Sequence, residues 1–235
     1  MATIYLIRHG QASFGSENYD QLSPLGQRQA DVTGEYFSRI GVQFDRMYSG
    51  VLWRQRETCE RVVAHQPEAV EHIVDPRFNE IQNDEQIKKL APVVTESDPR
   101  IKALMDKGLS SSKDYQKVIE AVFNYWVSND CSHHGIQGWP EYSGLVKDAV
   151  KEVMLTEGSG KTIGIFTSGG TIATAVAQVL GLGGENTYKF YEPIFNCSVT
   201  QLFYSGENIS LSYFNDRSSL QVLGLEKGEN LVSYR

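Results

Sequence analysis

The sequence predicts an α/β fold, a three-layer α/β/α arrangement with a mostly parallel sheet and an inserted, mainly helical cap. Short apolar segments alternate with amphipathic segments that are long enough to be crossover helices. The first apolar segment, residues 3–7, is a continuous run typical of a strand buried on both faces of a parallel sheet. From about residue 81 to residue 138, apolar residues recur at helical spacing instead. We therefore predict a single domain over residues 1–235 with a helical insertion at about 81–138.

The elements before the insertion have recognisable start and stop residues. Ser23 and Pro24 are suited to the N-cap and the first position of a helix, and Gly41 is suited to its end. Pro67 marks the end of the following helix. The predicted order is a strand at 3–7, a helix at 24–40, a strand at 44–48, a helix at 53–64 and a strand at 70–74.

The later elements are predicted by the same signals. Pro99 and the serines at 110–112 interrupt the helical insertion, and the glycine-rich residues 158–160 form a turn. After residue 138 the predicted order is a helix at 142–155, a strand at 162–166, a helix at 171–180 and strands at 198–203 and 209–214.

Composition limits the classes of partner. Apolar residues make up 40% and charged residues 22%, as in ordinary globular proteins. The net charge of -7 argues against nucleic-acid and anionic-membrane binding, so an anionic substrate needs a local cluster of cations. The start of the chain lacks the features of a secretory signal, and no apolar run approaches the ~18 residues that span a bilayer. Cys59, Cys131 and Cys197 are odd in number and widely spaced, which favours packing in a reduced cytoplasm.

Polar or special residues follow four of the predicted strands, at 8–10, 49–54, 77–80 and 167–170. The carboxyl ends of parallel strands lie at the same edge of a doubly wound sheet, and ligands bind in the crevice beyond them. These four segments therefore predict one common site.

Several motifs are similar to those of the histidine phosphatase superfamily, also called phosphoglycerate-mutase-like. Residues 8–11, Arg-His-Gly-Gln, and residues 22–30 resemble its opening signature. Ser49, residues 52–54 and Thr58 resemble its second signature, with one extra residue after Ser49. Residues 75–80 resemble the segment with the acidic catalyst, and residues 195–200 resemble the late strand that contains an asparagine. The resemblance covers the chain except the insertion.

The resemblance implies roles for individual residues. His9 is expected to be a nucleophile that becomes transiently phosphorylated, and Glu80 to protonate the leaving oxygen and then activate water. Two nearby guanidinium groups would keep His9 neutral. No metal and no cofactor are expected. The expected phosphate-binding residues are Arg8, Arg54, Ser168, Gly169 and Asn18.

Ser168 departs from the family, which has a second histidine at this position. Losing one well-placed donor to developing charge costs about 3 kcal/mol. The N–H groups of the helix that begins near Thr171 are expected to offset part of this loss. We expect phosphate binding to survive, turnover to be slow or tuned to an unusual substrate, and Ser168→His to raise generic phosphatase activity. The alternative is that Ser168 has no role in phosphate binding and is only a small residue that permits a tight turn.

These patterns favour a phosphatase that hydrolyses a small phosphorylated metabolite through a phosphohistidine. The alternatives are a catalytically weak phospholigand-binding protein and a phosphoglycerate-mutase-like phosphotransferase. A serine hydrolase built on Ser168 is excluded, because the nucleophile elbow needs a glycine where Phe166 stands. His133 and His134, which follow Cys131, are interpreted as part of a cap loop. A metal site there, or a histidine that replaces the missing one, is the weaker alternative. No oligomeric state is predicted.

Overall fold

The computed structural model describes residues 1–13, 20–109 and 111–234. Within these ranges, helices and strands alternate for most of the chain. The elements are β1 (Ala2–Arg8), α1 (Pro24–Arg39), β2 (Arg46–Ser49), α2 (Trp53–Val63), β3 (His72–Val74), α3 (Asn83–Ser97), α4 (Pro99–Asp106), α5 (Ser112–Ser128), α6 (Trp139–Glu157), β4 (Thr162–Thr167), α7 (Gly169–Val179), α8 (Thr187–Tyr191), β5 (Val199–Ser205), β6 (Asn208–Asp216) and α9 (Ser218–Lys227).

The six strands form one mixed sheet in the order β3-β2-β4-β1-β5-β6. The pairs β3–β2, β2–β4 and β4–β1 are parallel, because a helix crosses over between the strands. β5 and β6 follow each other through a short turn at Gly206 and are antiparallel, as are β1 and β5. The prediction of a mostly parallel sheet is confirmed.

Helices cover both faces of the sheet. Along β1, Ile4 and Leu6 pack in one hydrophobic cluster with α6 and α7, whereas Tyr5 and Ile7 pack in another with α1 and α2. Successive strand residues point to opposite faces, so a strand that is apolar throughout needs a helical layer on each side. The three-layer α/β/α arrangement is confirmed.

The segment predicted to be a helical insertion contains α3, α4 and α5. The Asp98 side chain accepts a hydrogen bond from the backbone of Arg100 at the start of α4, and Ser111 accepts one from Asp114 at the start of α5. Buried Trp126 of α5 packs edge-on against Trp139, with ring centroids 5.3 Å apart. The helices of this segment therefore join the same hydrophobic cluster as α6 and α7.

Some predicted element boundaries were wrong, and two helices were not predicted. α7 begins at Gly169 rather than 171, and α6 begins at Trp139 rather than 142. The short helix α8 and the C-terminal helix α9 were missed. In α9, Leu220 is buried while Leu225 is 84% exposed, so its apolar residues define no single stripe. Among the described residues, no helix combines the length and apolarity that crossing a membrane requires.

Candidate active site

The carboxyl ends of β1, β2 and β4 meet at one edge of the sheet. Arg8 at the end of β1 is in register with Thr167 of β4, and Ser49 of β2 is in register with Phe166. The backbone N–H of His9 donates to the carbonyl oxygen of Thr167 over 2.9 Å. This register places the segments around His9, α2 and Ser168 next to one another, as the sequence predicts.

The His9 imidazole is 5% exposed, and its two ring nitrogens have different partners. Nδ1 lies 2.7 Å from the carbonyl oxygen of Gly10, which can only accept a hydrogen bond. Nε2 lies 3.2 Å from Nε of Arg54, which can only donate. The network therefore assigns the proton to Nδ1 and leaves a lone pair on Nε2, the atom that a nucleophile would use.

The charge environment of His9 favours its neutral form. Burial is the main cause that holds the pKa of His9 well below its ordinary value, and the guanidinium groups of Arg54 and Arg8 lower this pKa further. The imidazole consequently keeps its lone pair at pH values where an exposed histidine would be charged. This agrees with the expected effect of two neighbouring arginines.

The loop after His9 is held by close packing against α1 and α2. A Cβ added at Gly10 would lie 2.4 Å from the carbonyl oxygen of Gly26, so only glycine permits this approach of α1. The Gly10 N–H donates to Oγ1 of Thr58 over 3.0 Å, and that hydroxyl donates to the carbonyl oxygen of Arg54 over 2.7 Å. These contacts explain why the glycine and the threonine of the two signatures belong to one site.

Arg54 lies in the first turn of α2 and is oriented by Asp20. Its Nη1 donates to Oδ1 of Asp20 over 2.7 Å, and its side chain is 11% exposed. The other carboxylate oxygen of Asp20 accepts from the N–H of Trp53 over 2.7 Å, at the N-terminus of the helix. The sequence analysis did not identify Asp20, because nothing local distinguishes it from other loop carboxylates.

Arg8 extends toward the C-terminal part of the chain. Its Nη1 donates to the carbonyl oxygens of Ile194 and Tyr234, the latter over 3.2 Å. Asn196 lies behind the nucleophile, where its Nδ2 donates to the His9 carbonyl oxygen over 3.3 Å and its Oδ1 accepts from Ser233 over 2.9 Å. The late asparagine noted in the sequence thus supports the backbone of His9 rather than its ring.

Glu80 lies at the N-terminus of α7. Its Oε1 accepts hydrogen bonds from the N–H groups of Ile81, over 2.9 Å, and Gly170, over 3.0 Å. The expectation of free N–H groups there is therefore wrong for Gly170, whose N–H binds Glu80. Burial raises the pKa of Glu80, although Arg54 and Arg8 lower it. A raised pKa extends the protonated form, which a general acid requires, to higher pH than in an exposed carboxyl group.

The chain before Glu80 is attached to β4 and α7 by two threonines. Oγ1 of Thr167 donates to the carbonyl oxygen of Phe78 over 2.5 Å, and Oγ1 of Thr171 donates to that of Asn79 over 2.6 Å. Asp75 caps the turn Pro76–Phe78 that redirects the chain after β3. These bonds determine where the carboxyl group of the next residue can lie.

Ser168 is fully buried and hydrogen-bonded to a residue that the sequence analysis did not consider. Nε2 of Gln55 donates to Oγ of Ser168 over 2.8 Å and to the carbonyl oxygen of Phe78 over 3.1 Å. Gly169 lies beside Arg8, since a Cβ at Gly169 would be 3.8 Å from the arginine Nε.

The structure brings most of the predicted site residues together. His9, Arg8, Arg54, Glu80, Ser168 and Gly169 surround one edge of the sheet. Asn18 lies outside the described residues. The rings of His133 and His134 lie with their centroids 4.0 Å apart and their planes tilted by 43°. Over the described ranges, no three His, Cys, Asp or Glu side chains are grouped so that they could hold a metal ion.

Comparisons with known proteins show the family and the fold of this chain. The model of the histidine phosphatase superfamily, branch 1, matches residues 4–217. The mitochondrial serine/threonine-protein phosphatase PGAM5 of Xenopus tropicalis is 36% identical over 67 residues, 28% of this chain and 24% of that protein. A 2,3-bisphosphoglycerate-dependent phosphoglycerate mutase of Sinorhizobium fredii is 32% identical over 85 residues, 33% of this chain and 40% of that protein. The chain thus spans well under half the length of these relatives.

Solved structures share the fold over almost the whole chain. A mutant phosphoserine phosphatase of Entamoeba histolytica in complex with phosphoserine superposes with a TM-score of 0.65 at 17% identity, covering 94% of this chain and 100% of that chain. A mycobacterial glucosyl-3-phosphoglycerate phosphatase superposes with a TM-score of 0.60 at 18% identity, covering 91% and 98%.

Proposed function

The chain belongs to the histidine phosphatase superfamily, branch 1, and on that premise we propose that it is a phosphatase acting on a small phosphorylated metabolite through a phosphohistidine on His9. The observation that carries the proposal is the state of the His9 ring. It is buried, its proton is on Nδ1, and its Nε2 lone pair faces an arginine that can bind phosphate. A residue with only a packing role has no need of this arrangement.

The first step transfers the phosphoryl group to the histidine. The substrate phosphate draws the Arg54 guanidinium away from Nε2, because a dianion is a better acceptor than an imidazole nitrogen. The Nε2 lone pair then forms a bond to phosphorus while the bond from phosphorus to the leaving oxygen breaks. Glu80 gives its carboxyl proton to that oxygen, so the product leaves as an alcohol. Asp20 keeps Arg54 close to the phosphoryl oxygens throughout.

The second step releases phosphate. A water molecule gives a proton to the Glu80 carboxylate and forms a bond to phosphorus while the phosphorus–Nε2 bond breaks. His9 recovers its lone pair and Glu80 its proton. The hydrogen bond from Nδ1 to the Gly10 carbonyl oxygen stabilises the ring while its other nitrogen carries the phosphoryl group.

Ser168 favours a second candidate function, that of a catalytically weak phospholigand-binding protein. Its hydroxyl is neutral, so the cationic groups contributed by the predicted site residues are the guanidinium groups of Arg8 and Arg54. Two arginines are enough to bind a phosphate, whereas rapid transfer depends on every donor that stabilises the developing charge.

The substrate class proposed here is a phosphomonoester small enough to enter between the sheet edge and the helices. Phosphoserine and 3-phosphoglycerate are bound by phosphoserine phosphatase of the same fold, and they are the first compounds to test. Tyr191, whose hydroxyl lies 2.6 Å from Nδ2 of Asn83, packs beside Gly169 and is placed to contact the organic part.

The test follows phosphate release and the phosphoenzyme together. Wild-type protein is incubated with p-nitrophenyl phosphate and with a panel of phosphometabolites, then quenched and analysed for acid-labile phosphohistidine. We expect turnover, an acid-labile adduct in the wild type, and loss of both in His9→Ala. His133→Ala, which alters an exposed histidine outside this site, should behave as the wild type. Phosphate binding without turnover or adduct would favour the binding protein and refute the phosphatase.

A further inference from the structure

A buried amide lies directly against the serine that departs from the family. Gln55 and Ser168 are both 0% exposed, and Nε2 of Gln55 lies 2.8 Å from Oγ of Ser168. We propose that Gln55 is a positioning residue that directs the Ser168 hydroxyl proton toward a phosphoryl oxygen, so that the two residues form a neutral donor unit where the family has a cation. This inference rests on the proposed function and concerns the same site.

The direction of the Gln55–Ser168 hydrogen bond follows from the partners of the amide. The carbonyl oxygen of Phe78 can only accept, and it lies 3.1 Å from the same Nε2. Turning the amide over would place two carbonyl oxygens against each other, so Nε2 must face Phe78. Its second hydrogen then points at Ser168, whose Oγ acts as the acceptor.

This assignment leaves the hydroxyl hydrogen of Ser168 available. In the part of the chain that the structure describes, Oγ of Ser168 has no hydrogen-bond acceptor for that hydrogen. A buried donor needs a partner, because leaving it without one costs the free energy of desolvation. The residue before Ser168, Thr167, accepts the backbone N–H of His9, so the serine lies beside the nucleophile. A phosphoryl oxygen on its way to His9 would provide the missing acceptor.

The surroundings of Gln55 also indicate that its functional group is the Nε2 amide nitrogen. A Cβ added at Gly50 would lie 2.1 Å from Oε1 of Gln55, so glycine makes room for the amide. Oε1 itself is buried and receives no hydrogen bond from a described residue. An apolar side chain would avoid the desolvation free energy of this unbonded oxygen. The presence of an amide is therefore better explained by the hydrogen bonds that Nε2 donates to Ser168 and Phe78.

A neutral donor unit has a consequence for the pH dependence of the site. A histidine loses its charge as the pH rises through its pKa, and with it a phosphate-binding cation. An amide and a hydroxyl do not titrate in the range where enzymes are assayed. The contribution of Gln55 and Ser168 to the rate should thus be the same from about pH 5 to about pH 9, a range over which histidine side chains titrate.

A double-mutant cycle tests the proposal. Gln55→Met removes the donor but keeps the volume, and Ser168→Ala removes the hydroxyl. Each should lower kcat for p-nitrophenyl phosphate by about tenfold to a hundredfold, less than a charged donor, with a smaller change in KM. The double variant should be no slower than Ser168→Ala, because the proposal has Gln55 act on turnover through the hydroxyl, and Thr167 still donates to the Phe78 carbonyl oxygen when the amide is removed. These ratios should not vary with pH. If Gln55→Met is poorly folded by thermal denaturation, Gln55→Leu replaces it.

The control is Gln66→Ala, which removes an amide that bonds to the backbone of Phe44 and Val42 away from the site and should leave kcat unchanged. A purely structural role for Gln55 would instead multiply the two losses, and that result would overturn the inference.

The same variants are titrated with orthovanadate as an analogue of the transferring phosphoryl group. If the protein turns over substrate and the losses of the two single variants multiply in the double variant, this inference is refuted and the proposed phosphatase activity stands. If there is no turnover, but vanadate affinity in the double variant falls no further than in Ser168→Ala, the phosphatase activity alone is refuted. Absence of both turnover and vanadate binding refutes both.

Discussion

A single methyl group at Gly170 should separate Glu80 from the helix that orients it. A Cβ there would lie 2.5 Å from Oε1 of Glu80 and 2.3 Å from Cδ1 of Ile81, whereas ordinary contact begins at 3.4 Å. In Gly170→Ala the carboxyl group must therefore move by about 1 Å, which also weakens its hydrogen bond from the Gly170 N–H.

The size of the effect follows from this displacement. A misplacement of about 1 Å in a reacting group costs on the order of a hundredfold in rate. For stability, overpacking costs about 1–3 kcal/mol, while alanine in place of glycine in a helix regains up to about 1 kcal/mol. We expect kcat for an alkyl phosphomonoester to fall about a hundredfold and the free energy of unfolding to fall by about 1–2 kcal/mol.

The assay compares two substrates and a matched glycine. An alkyl phosphate needs a protonated leaving oxygen, whereas p-nitrophenolate departs without one. The loss in kcat/KM, which excludes the later hydrolysis of the phosphohistidine, should therefore be much smaller for p-nitrophenyl phosphate. Gly144 lies in α6 with nothing within 4 Å of an added Cβ, so Gly144→Ala should be slightly stabilised and fully active. If Gly170→Ala retains more than half of its kcat for the alkyl phosphate, the placement of Glu80 at this helix does not govern catalysis.

The remaining predictions concern the acid, the nucleophile and the altered serine. Glu80→Gln should lower kcat/KM, which reports the steps through phosphoryl transfer, by about a hundredfold to ten-thousandfold for alkyl phosphates but far less for p-nitrophenyl phosphate, and equal losses of kcat/KM would contradict its role as the acid. The pKa of His9 is lowered and the pKa of Glu80 is raised. We therefore expect kcat/KM to be highest at a pH between these two pKa values and to fall as the pH rises through the pKa of Glu80. Glu80→Gln should lack this alkaline decline, and a profile that keeps it would assign the decline to another group. The structure changes the expectation, drawn from the sequence, that Ser168→His raises activity. Gln55 fills the adjacent space, so Ser168→His alone should fail to raise kcat, whereas Ser168→His with Gln55→Ala should raise it in the same assay. A faster single variant would show that the space is not limiting.

Much of the site could be predicted from residues that are neighbours in the chain. The run at 3–7 predicts a central strand, and the polar residues after it predict a site at its carboxyl end. Ser23 caps α1 by accepting the N–H of Gly26, as its position before Pro24 predicts. The start of α7 was placed two residues late because Gly169 and Gly170 have low helix propensity, and their packing against Glu80 and Tyr191 outweighs it.

The sequence by itself determined the fold class, the edge of the sheet that carries the site, and the residue types available there. It could do so because strand periodicity, helix caps and motif order are properties of nearby residues. Only the tertiary structure decided which partner each group has. Gln55 meets Ser168 across 113 positions of sequence, and Glu80 meets Gly170 across 90. Such contacts are set by the packing of whole elements, so Ser168, a lone departure in the sequence, is half of a hydrogen-bonded pair in the folded protein.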